Sequence, residues 1–209
     1  MFPMSTSRAY HHGDLRATLL ETTRTLLSEV GVEGLSLREV SRIAGVSHAA
    51  AYNHFRDKAS LMRAVVDAAF VRLAKELSRA RASTSDPLEA FQRVGVAYVR
   101  FAYRNQAEFR IMFRPELCAA PTPDGPKDTN DAYQVLVDAV LACQEAGSIA
   151  AGPIGPIVLA AWSMVHGLSA LIIDGPDPTL APTLATTERL ARACVDALRY
   201  GFADREGAA

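Results

Sequence analysis

The run from Leu35 to Lys58, LSLREVSRIAGVSHAAAYNHFRDK, limits the possible folds of this chain more than any other stretch. Apolar residues recur in its first part at helical spacing, namely Leu37, Val40, Ile43 and Ala44. This spacing predicts a short helix with one apolar face. Gly45 follows where a residue with positive φ can end a helix, and Ser36 and Ser47 precede the two helices as predicted N-caps. Two short helices joined by a tight turn are typical of a helix-turn-helix.

The second helix of this motif, from His48 to about Asn53, contains three consecutive alanines and little side-chain bulk. Such a helix can enter the major groove of DNA deeply, where alanine methyls meet thymine methyls and a His or Asn can hydrogen-bond base edges. Hydrogen-bond donors that suit phosphate oxygens follow it, namely Tyr52, His54, Arg56 and Lys58. A small helical core without a DNA role would explain the apolar positions equally well, but it would not explain these donors.

The stretch Gly31–Val66 resembles the N-terminal domain of the TetR family of transcriptional repressors. The matching features are a Gly-x-x-Gly-Leu entry, an Ala-Gly-Val-Ser turn and a Tyr-x-His-Phe-x-x-Lys run, and the YHHGDLR opening is also similar to many members. The resemblance implies a DNA-binding domain over residues 1–58. A fourth helix starting at 58 would link it to a ligand-binding and dimerisation domain over residues 59–209.

Within the motif, we expect His48, Ala49 and Asn53 to face the bases, and the resemblance adds Arg38 as a reader of a base or a phosphate. The other candidates are expected at the DNA backbone, namely Ser36, Ser47, Tyr52, His54 and Lys58. Because the recognition helix has few long polar side chains, direct contacts would be few, and DNA shape would contribute more to specificity.

Composition is compatible with this interpretation without pointing to it. The chain has 209 residues, 49% of them hydrophobic, which is enough for a buried core and one or two domains. Its net charge of −1 provides no global attraction to nucleic acid, so a local patch would have to do so. Residues 1–58 hold seven Lys/Arg against six Asp/Glu, a net +1, and the remainder holds 15 against 17, a net −2. The sign of this asymmetry fits an N-terminal DNA-binding domain.

Several other classes of protein lack support in the sequence. We find no paired nucleophile and base, no phosphate-binding loop and no metal-ligand spacing, so we expect no catalytic residue, no metal and no cofactor. The adjacent His11 and His12 do not converge on a metal. The cysteines are odd in number and far apart, which favours a reducing compartment, and they are Cys118, Cys143 and Cys194. A helical enzyme is therefore the weakest hypothesis.

The sequence also predicts a cytoplasmic location without membrane contact. Its first residues lack the apolar core of a signal peptide. A membrane span needs about 18 apolar residues. Even the most apolar stretch, Ile154–Ile173, is interrupted by Pro, Ser, His and Gly.

Helical spacing continues along the whole chain and predicts an all-α fold of about nine helices, with a three-helix N-terminal domain. Outside the motif, the predicted helices are 14–30, 58–81, 87–104, a short one after Asn105, 127–146, 153–173 and 182–200. The first helix would bury Leu15, Leu19, Thr22, Leu26 and Val30, and the fourth would bury Leu61, Val65, Ala69, Leu73 and Leu77. The Pro-rich stretch 115–126 is interpreted as a flap or a linker.

The predicted eighth helix contains Trp162, His166 and Gly167, and it resembles the Trp-His-Gly type of TetR-family C-terminal domain. Trp162 and His166 are four residues apart and so share a helix face. In one interpretation they line an effector pocket and supply a polar N–H. In the other, which we favour because no second titratable group is visible nearby, they only pack around a close helix crossing at Gly167.

A pocket in the C-terminal domain would use its aromatic side chains and methionine. The candidates are Phe70, Phe91, Tyr98, Phe101, Phe109, Met112, Phe113, Tyr133, Trp162 and His166. The resemblance implies a homodimer through helices 8 and 9 that binds a palindromic operator in double-stranded DNA as a repressor, and that a small apolar or aromatic effector releases. The alternative is an effector-independent DNA-binding adaptor whose C-terminal half dimerises or binds a protein, and a well-filled core would favour it.

Overall fold

The computed structural model of this protein describes residues 15–120, 131–177, 179–181 and 183–202. Within these ranges the chain forms nine α-helices and no β-strand, which confirms the all-α prediction. They are α1 (Leu15–Gly34), α2 (Leu37–Ile43), α3 (His48–Tyr52), α4 (Lys58–Arg81), α5 (Pro87–Arg104), α6 (Gln106–Met112), α7 (Asp131–Glu145), α8 (Ile154–Asp174) and α9 (Leu184–Phe202). A 3₁₀ turn, Pro115–Leu117, follows α6.

The described residues group into two compact units. The N-terminal unit contains residues 15–65 together with 116–119, and the C-terminal unit contains residues 66–115 together with 120 and the described residues from 131 onward. The helix α4 runs without interruption from one unit into the other. Three predicted features fall outside the described residues. They are the start of one helix at 127, the start of another at 182, and the second half of the flap.

In the N-terminal unit, the buried face of α1 differs slightly from the predicted face. The buried residues are Leu19, Thr23, Leu26 and Leu27. Thr23 takes the place predicted for Thr22, because its hydroxyl donates to the Leu19 carbonyl at 2.7 Å and so is satisfied inside the core. Val30 is 48% exposed, and Gly31, with a φ of 68°, kinks the helix directly after it.

The second helix differs from its prediction at one position. Ile43 was expected on the apolar face, but it is 47% exposed. Ser41 is fully buried instead, and its hydroxyl donates to the carbonyl of Leu37 at 2.6 Å. A serine that bonds to its own helix can occupy the core side as an apolar residue would, and polarity alone cannot reveal this.

The fourth helix confirms its prediction in both its bounds and its buried face. Asp57 and Ser60 form a reciprocal cap: Asp57 Oδ1 accepts from the Ser60 N–H at 2.8 Å, and Ser60 Oγ accepts from the Asp57 N–H at 3.1 Å. This hydrogen bonding lowers the pKa of the Asp57 carboxyl. All five residues predicted to be buried are buried, and they are Leu61, Val65, Ala69, Leu73 and Leu77.

The C-terminal unit is built around α5, whose bounds also agree with the prediction. Asp86 caps it by accepting from the N–H groups of Leu88 and Glu89, and the helix then packs against α6, α7, α8 and α9. The sequence predicts a close helix crossing at Gly167, but none forms there among the described residues of this chain, since a Cβ added to Gly167 would meet nothing within 4 Å. Close approach occurs at Gly95 instead, where a Cβ would lie 2.8 Å from Val195 Cγ2.

The helix α8 is apolar enough to resemble a membrane span, although the sequence predicts none. Its length and mean hydropathy are those of a possible membrane span, in spite of the interruptions, although a core helix passes the same test. Its inward face packs in the unit through Val158, Ala161, Val165 and Leu168. Only 28% of its most apolar stretch is buried, and Leu159 and Leu171 are 58% and 52% exposed. Much of its apolar surface is therefore uncovered.

Candidate functional site

Both helix caps of the helix-turn-helix form as predicted. Ser36 Oγ accepts from the Glu39 N–H and Ser47 Oγ accepts from the Ala50 N–H, each at 3.1 Å. Gly45 has a φ of 69°, the left-handed conformation that its position in the turn requires. The turn between α2 and α3 is therefore fixed by residues that the sequence identifies locally.

The short helix α3 separates its alanines into inner and outer positions. Ala51 is completely buried, whereas Ala49 is exposed. The outer surface also contains His48, Tyr52, Asn53 and His54, which are all exposed. The rings of His48 and Tyr52 lie 6.2 Å apart between centroids. Positions 48, 49, 52 and 53 fall on one side of a helix, and the exposed His54 follows directly after them.

Three further DNA candidates belong to neighbouring segments of the same unit. Ser36 and Arg38 are exposed at the start of α2. Lys58 is half-buried at the start of α4, and its Nζ donates to the carbonyl of Val32 at 2.5 Å. An ammonium has three donors, so this intramolecular bond leaves two for a phosphate. Lys58 therefore also ties α4 to the end of α1, a structural role that the sequence did not suggest.

The C-terminal unit contains a partly open cavity of about 550 Å³. Its wall comes from α4, α5, α7, α8 and α9 and from Phe113 directly after α6. The side chains that line it are Phe70, Leu73, Leu77, Phe91, Val94, Gly95, Tyr98, Phe113, Ala132, Tyr133, Leu136, Ala161, Trp162, Met164, Val165 and Val195. None of them is charged, so the cavity suits an uncharged, mostly apolar molecule.

The sequence-based candidates divide into wall and core. Six line the cavity, and they are Phe70, Phe91, Tyr98, Phe113, Tyr133 and Trp162. Four are outside the lining, and they are Phe101, Phe109, Met112 and His166. Phe101 is 1% exposed in the core, and Phe109 packs its ring against Tyr98 and Phe113. Aromatic content alone does not distinguish a ring that faces the cavity from one that packs behind it.

The aliphatic part of the wall was missed. Leu73 and Leu77 follow Phe70 on the same face of α4, and Val94 lies between Phe91 and Tyr98 on the same face of α5. The available signal was spacing, because residues three or four positions from a lining aromatic share its helix face.

Trp162, Tyr98 and His166 form a hydrogen-bonded chain at the cavity wall. The Trp162 indole N–H donates to the Tyr98 hydroxyl oxygen at 3.4 Å, and this hydroxyl lies 2.9 Å from His166 Nδ1. Burial lowers the pKa of His166 and so favours its neutral ring, whose tautomer decides whether Nδ1 accepts from the Tyr98 hydroxyl or donates to it. Burial also raises the pKa of Tyr98, which keeps the phenol protonated. Tyr98 is the titratable neighbour of His166 that the sequence did not reveal.

Two family models match separate parts of the chain. Residues 91–202 match the family described as tetracyclin repressor-like, C-terminal domain. Residues 19–65 match the bacterial regulatory proteins of the tetR family. The first match covers more than half of the chain and contains α5 to α9 apart from the first residues of α5, and the second covers most of α1, all of α2 and α3, and the start of α4.

Solved structures share the fold over nearly the whole chain. A protein of unknown function from Rhodococcus sp. RHA1 is 31% identical, with a TM-score of 0.76 over 95% of this chain and 100% of its own. The TetR-family transcriptional regulator PfmR from Thermus thermophilus is 23% identical, with a TM-score of 0.68 over 89% and 99%. A TetR-family transcriptional regulator from Pectobacterium atrosepticum is 21% identical, with a TM-score of 0.71 over 91% and 94%. At identities of 23% and 21%, these last two likenesses show the fold alone.

Proposed function

Since this chain belongs to the TetR family of DNA-binding transcriptional regulators, we propose that it is a dimeric repressor that a small uncharged, apolar or aromatic ligand releases from its operator. The observation on which this rests is the uncharged cavity of about 550 Å³ in the C-terminal unit. The proposal includes no catalytic step and no cofactor, and it places the protein with its operator in the cytoplasm.

On the DNA side, the exposed surface of α3 supports base contacts from His48, Ala49 and Asn53. Arg38 reads a base or a phosphate, and the remaining candidates bind the backbone. Two copies related by a two-fold axis would read two half-sites of a palindrome, with centres about 34–36 Å apart if one helical turn separates them. Because α3 offers few long polar side chains, DNA shape contributes to the specificity.

The uncovered apolar surface of α8 supports the proposed dimer through α8 and α9. Leu159 and Leu171 are more than half exposed, and the open space at Gly167 leaves room for a neighbouring backbone. Exposed apolar surface of this extent is typical of protein interfaces. A second copy that packs its own α8 and α9 against these helices would form a four-helix bundle and bury that surface.

Chain connections support the coupling of ligand and DNA binding. The cavity residues Phe70, Leu73 and Leu77 belong to α4, which begins in the N-terminal unit. A second connection follows Phe113, since residues 116–119 belong to the N-terminal unit. There the Ala119 N–H donates to the Ala59 carbonyl at 3.1 Å. A ligand that favours one position of α4 would shift the dimer between states that bind DNA differently, and the coupling is reciprocal.

The first experiment is a titration of the protein into fluorescent DNA from its own upstream region, at two salt concentrations with nonspecific competitor. Salt-sensitive, cooperative binding to a palindrome supports the dimeric regulator. Weak binding that is indifferent to sequence would contradict it.

Ligand binding in the cavity can be followed separately by tryptophan fluorescence. The chain contains a single tryptophan, Trp162, and this residue lines the cavity. A ligand that enters the cavity should change Trp162 fluorescence at the concentrations at which it releases the operator. A release of DNA without a change in this fluorescence would place the effector elsewhere. The adaptor hypothesis predicted a well-filled core, and the cavity argues against it.

A further inference from the structure

The face of α5 that points away from the cavity contains three arginines. Arg93, Arg100 and Arg104 are seven and four residues apart and so lie along one side of the helix. The cavity residues Phe91 and Tyr98 occupy the opposite side. The helix α5 therefore separates an apolar cavity from a basic surface.

This basic surface forms a cleft of about 520 Å³ with parts of α4 and α9. Arg79 of α4 and Arg192 of α9 add two further guanidinium groups to the three of α5. Two carboxylates, Glu76 and Glu188, also line it. Five arginines are thus concentrated in one concave site within a half of the chain whose net charge is negative.

Only part of this positive charge is neutralised within the described residues. Arg93 donates to Glu89 and to Ser83. Arg100 Nη1 lies 3.6 Å from a carboxylate oxygen of Glu188, beyond hydrogen-bond distance, and its Nε is enclosed without an acceptor. In the part of the chain that the structure describes, three exposed arginines have no ion pair, and they are Arg79, Arg104 and Arg192. The cleft keeps a surplus of cationic donors.

We propose that this cleft is a second ligand site, for a small anion with two or more linked phosphate groups. Guanidinium groups bind phosphate oxygens in a bidentate manner, and linked phosphates can reach several arginines at once. Glu76 adds an acceptor for a hydroxyl or amino group of such a ligand. The inference is independent of the proposed effector, since no residue of the cleft lines the cavity.

The test is calorimetric titration of the full-length protein with inorganic triphosphate, with sodium chloride at matched ionic strength as the blank. Arg104→Gln and Arg192→Gln should each raise the dissociation constant of triphosphate at least tenfold. The matched control is Arg189→Gln, which removes the same charge from an exposed position of α9 outside the cleft. Thermal melting and the molecular mass of each variant verify the fold and the oligomeric state.

Three results would overturn the assignment of an anion site to the cleft, and a fourth would overturn the assignment to phosphates. The first is the absence of saturable binding above the blank. The second is equal weakening by Arg189→Gln, which would indicate a general charge effect. The third is that operator DNA displaces triphosphate and that Arg104→Gln leaves the affinity for triphosphate unchanged. This result would place the anion on the N-terminal unit. If citrate bound as tightly as triphosphate, the assignment to phosphates would be wrong.

Discussion

The two units of this protein present their candidate sites in opposite ways. In the N-terminal unit, Ala51 and Leu61 are fully buried, and the candidate residues His48 and Asn53 are exposed. In the C-terminal unit, six of the ten candidate residues line a cavity of about 550 Å³. One site is a surface supported by a core, and the other is a gap within a core.

This difference decides how each site is specified. A surface site of two short helices needs a turn and two caps, all supplied within residues 36–50. A cavity needs five helices to leave space between them, so its wall depends on contacts between distant parts of the chain. We therefore expect substitutions to separate stability from function easily in the N-terminal unit, and less easily in the C-terminal unit.

The largest expected effect tests the boundary between wall and core. Phe101→Ala should destabilise the protein by about 3–5 kcal/mol, because it removes a fully buried ring from close packing. Phe70→Ala should cost clearly less, since this half-buried ring already borders empty space. Chemical denaturation followed by circular dichroism gives both values. If the two costs were equal, the cavity would not be open in solution.

The second prediction compares two alanines of α3. Ala51→Leu should destabilise the protein by about 1–3 kcal/mol, because Ala51 has no exposed surface and the added carbons overpack the core. Ala49→Leu should change stability by less than about 0.5 kcal/mol, since this position is exposed. It should nevertheless weaken operator binding in a fluorescence anisotropy titration. Unchanged affinity for the operator would remove Ala49 from the base-facing set.

Local signals explain why so much of the N-terminal unit was predictable. The caps at Ser36 and Ser47, the glycine at 45 and the start of α4 depend on neighbours within a few residues, and all were found. The wrong predictions concern which side of α1 and of α2 faces the core. Ser41 replaced Ile43 inside because a serine can satisfy its hydroxyl on its own helix.

The cavity was less predictable for a physical reason. Helical spacing shows that Phe91, Tyr98 and Phe101 are inward-facing, but it does not show whether a neighbouring helix fills the space before them. Phe101 packs in the core, whereas Phe91 and Tyr98 line the cavity. The bond between Tyr98 and His166 joins residues 68 positions apart, which no local pattern indicates.

The third prediction concerns this hydrogen bond in the cavity wall. Tyr98→Phe should destabilise the protein by about 1–3 kcal/mol, because it leaves His166 Nδ1 and the Trp162 N–H without their partner. Tyr133→Phe is the matched control, since that hydroxyl makes no hydrogen bond within the described residues, and its cost should be below about 0.5 kcal/mol. Equal costs for the two variants would mean that the hydrogen-bonded chain is not formed in solution.

The fourth prediction is a pH dependence that arises from His166. Burial lowers the pKa of His166 in the folded state below its ordinary value of 6.5. The unfolded chain then binds more protons as the pH falls below 6.5, so stability should decrease from there toward the folded-state pKa. The His166→Gln variant should lose less stability than the parent when the pH is lowered from about 7.5 to about 5.5. Chemical denaturation of both proteins at the two pH values measures this difference, and equal losses of stability would contradict the role of His166.

The smallest expected effect concerns Lys58, which bonds to the end of α1 and is also a candidate of the proposed DNA surface. Lys58→Gln should reduce the slope of log affinity against log salt by about one per monomer and weaken all DNA sequences alike. Because Lys58 also donates to the Val32 carbonyl, the substitution can lower stability as well. The melting temperature of the Lys58→Gln variant is therefore measured in parallel. Lys75→Gln, an exposed position later in α4, is the control and should leave the slope unchanged. A loss of affinity confined to one base position would contradict the phosphate contact and make Lys58 a reader of sequence.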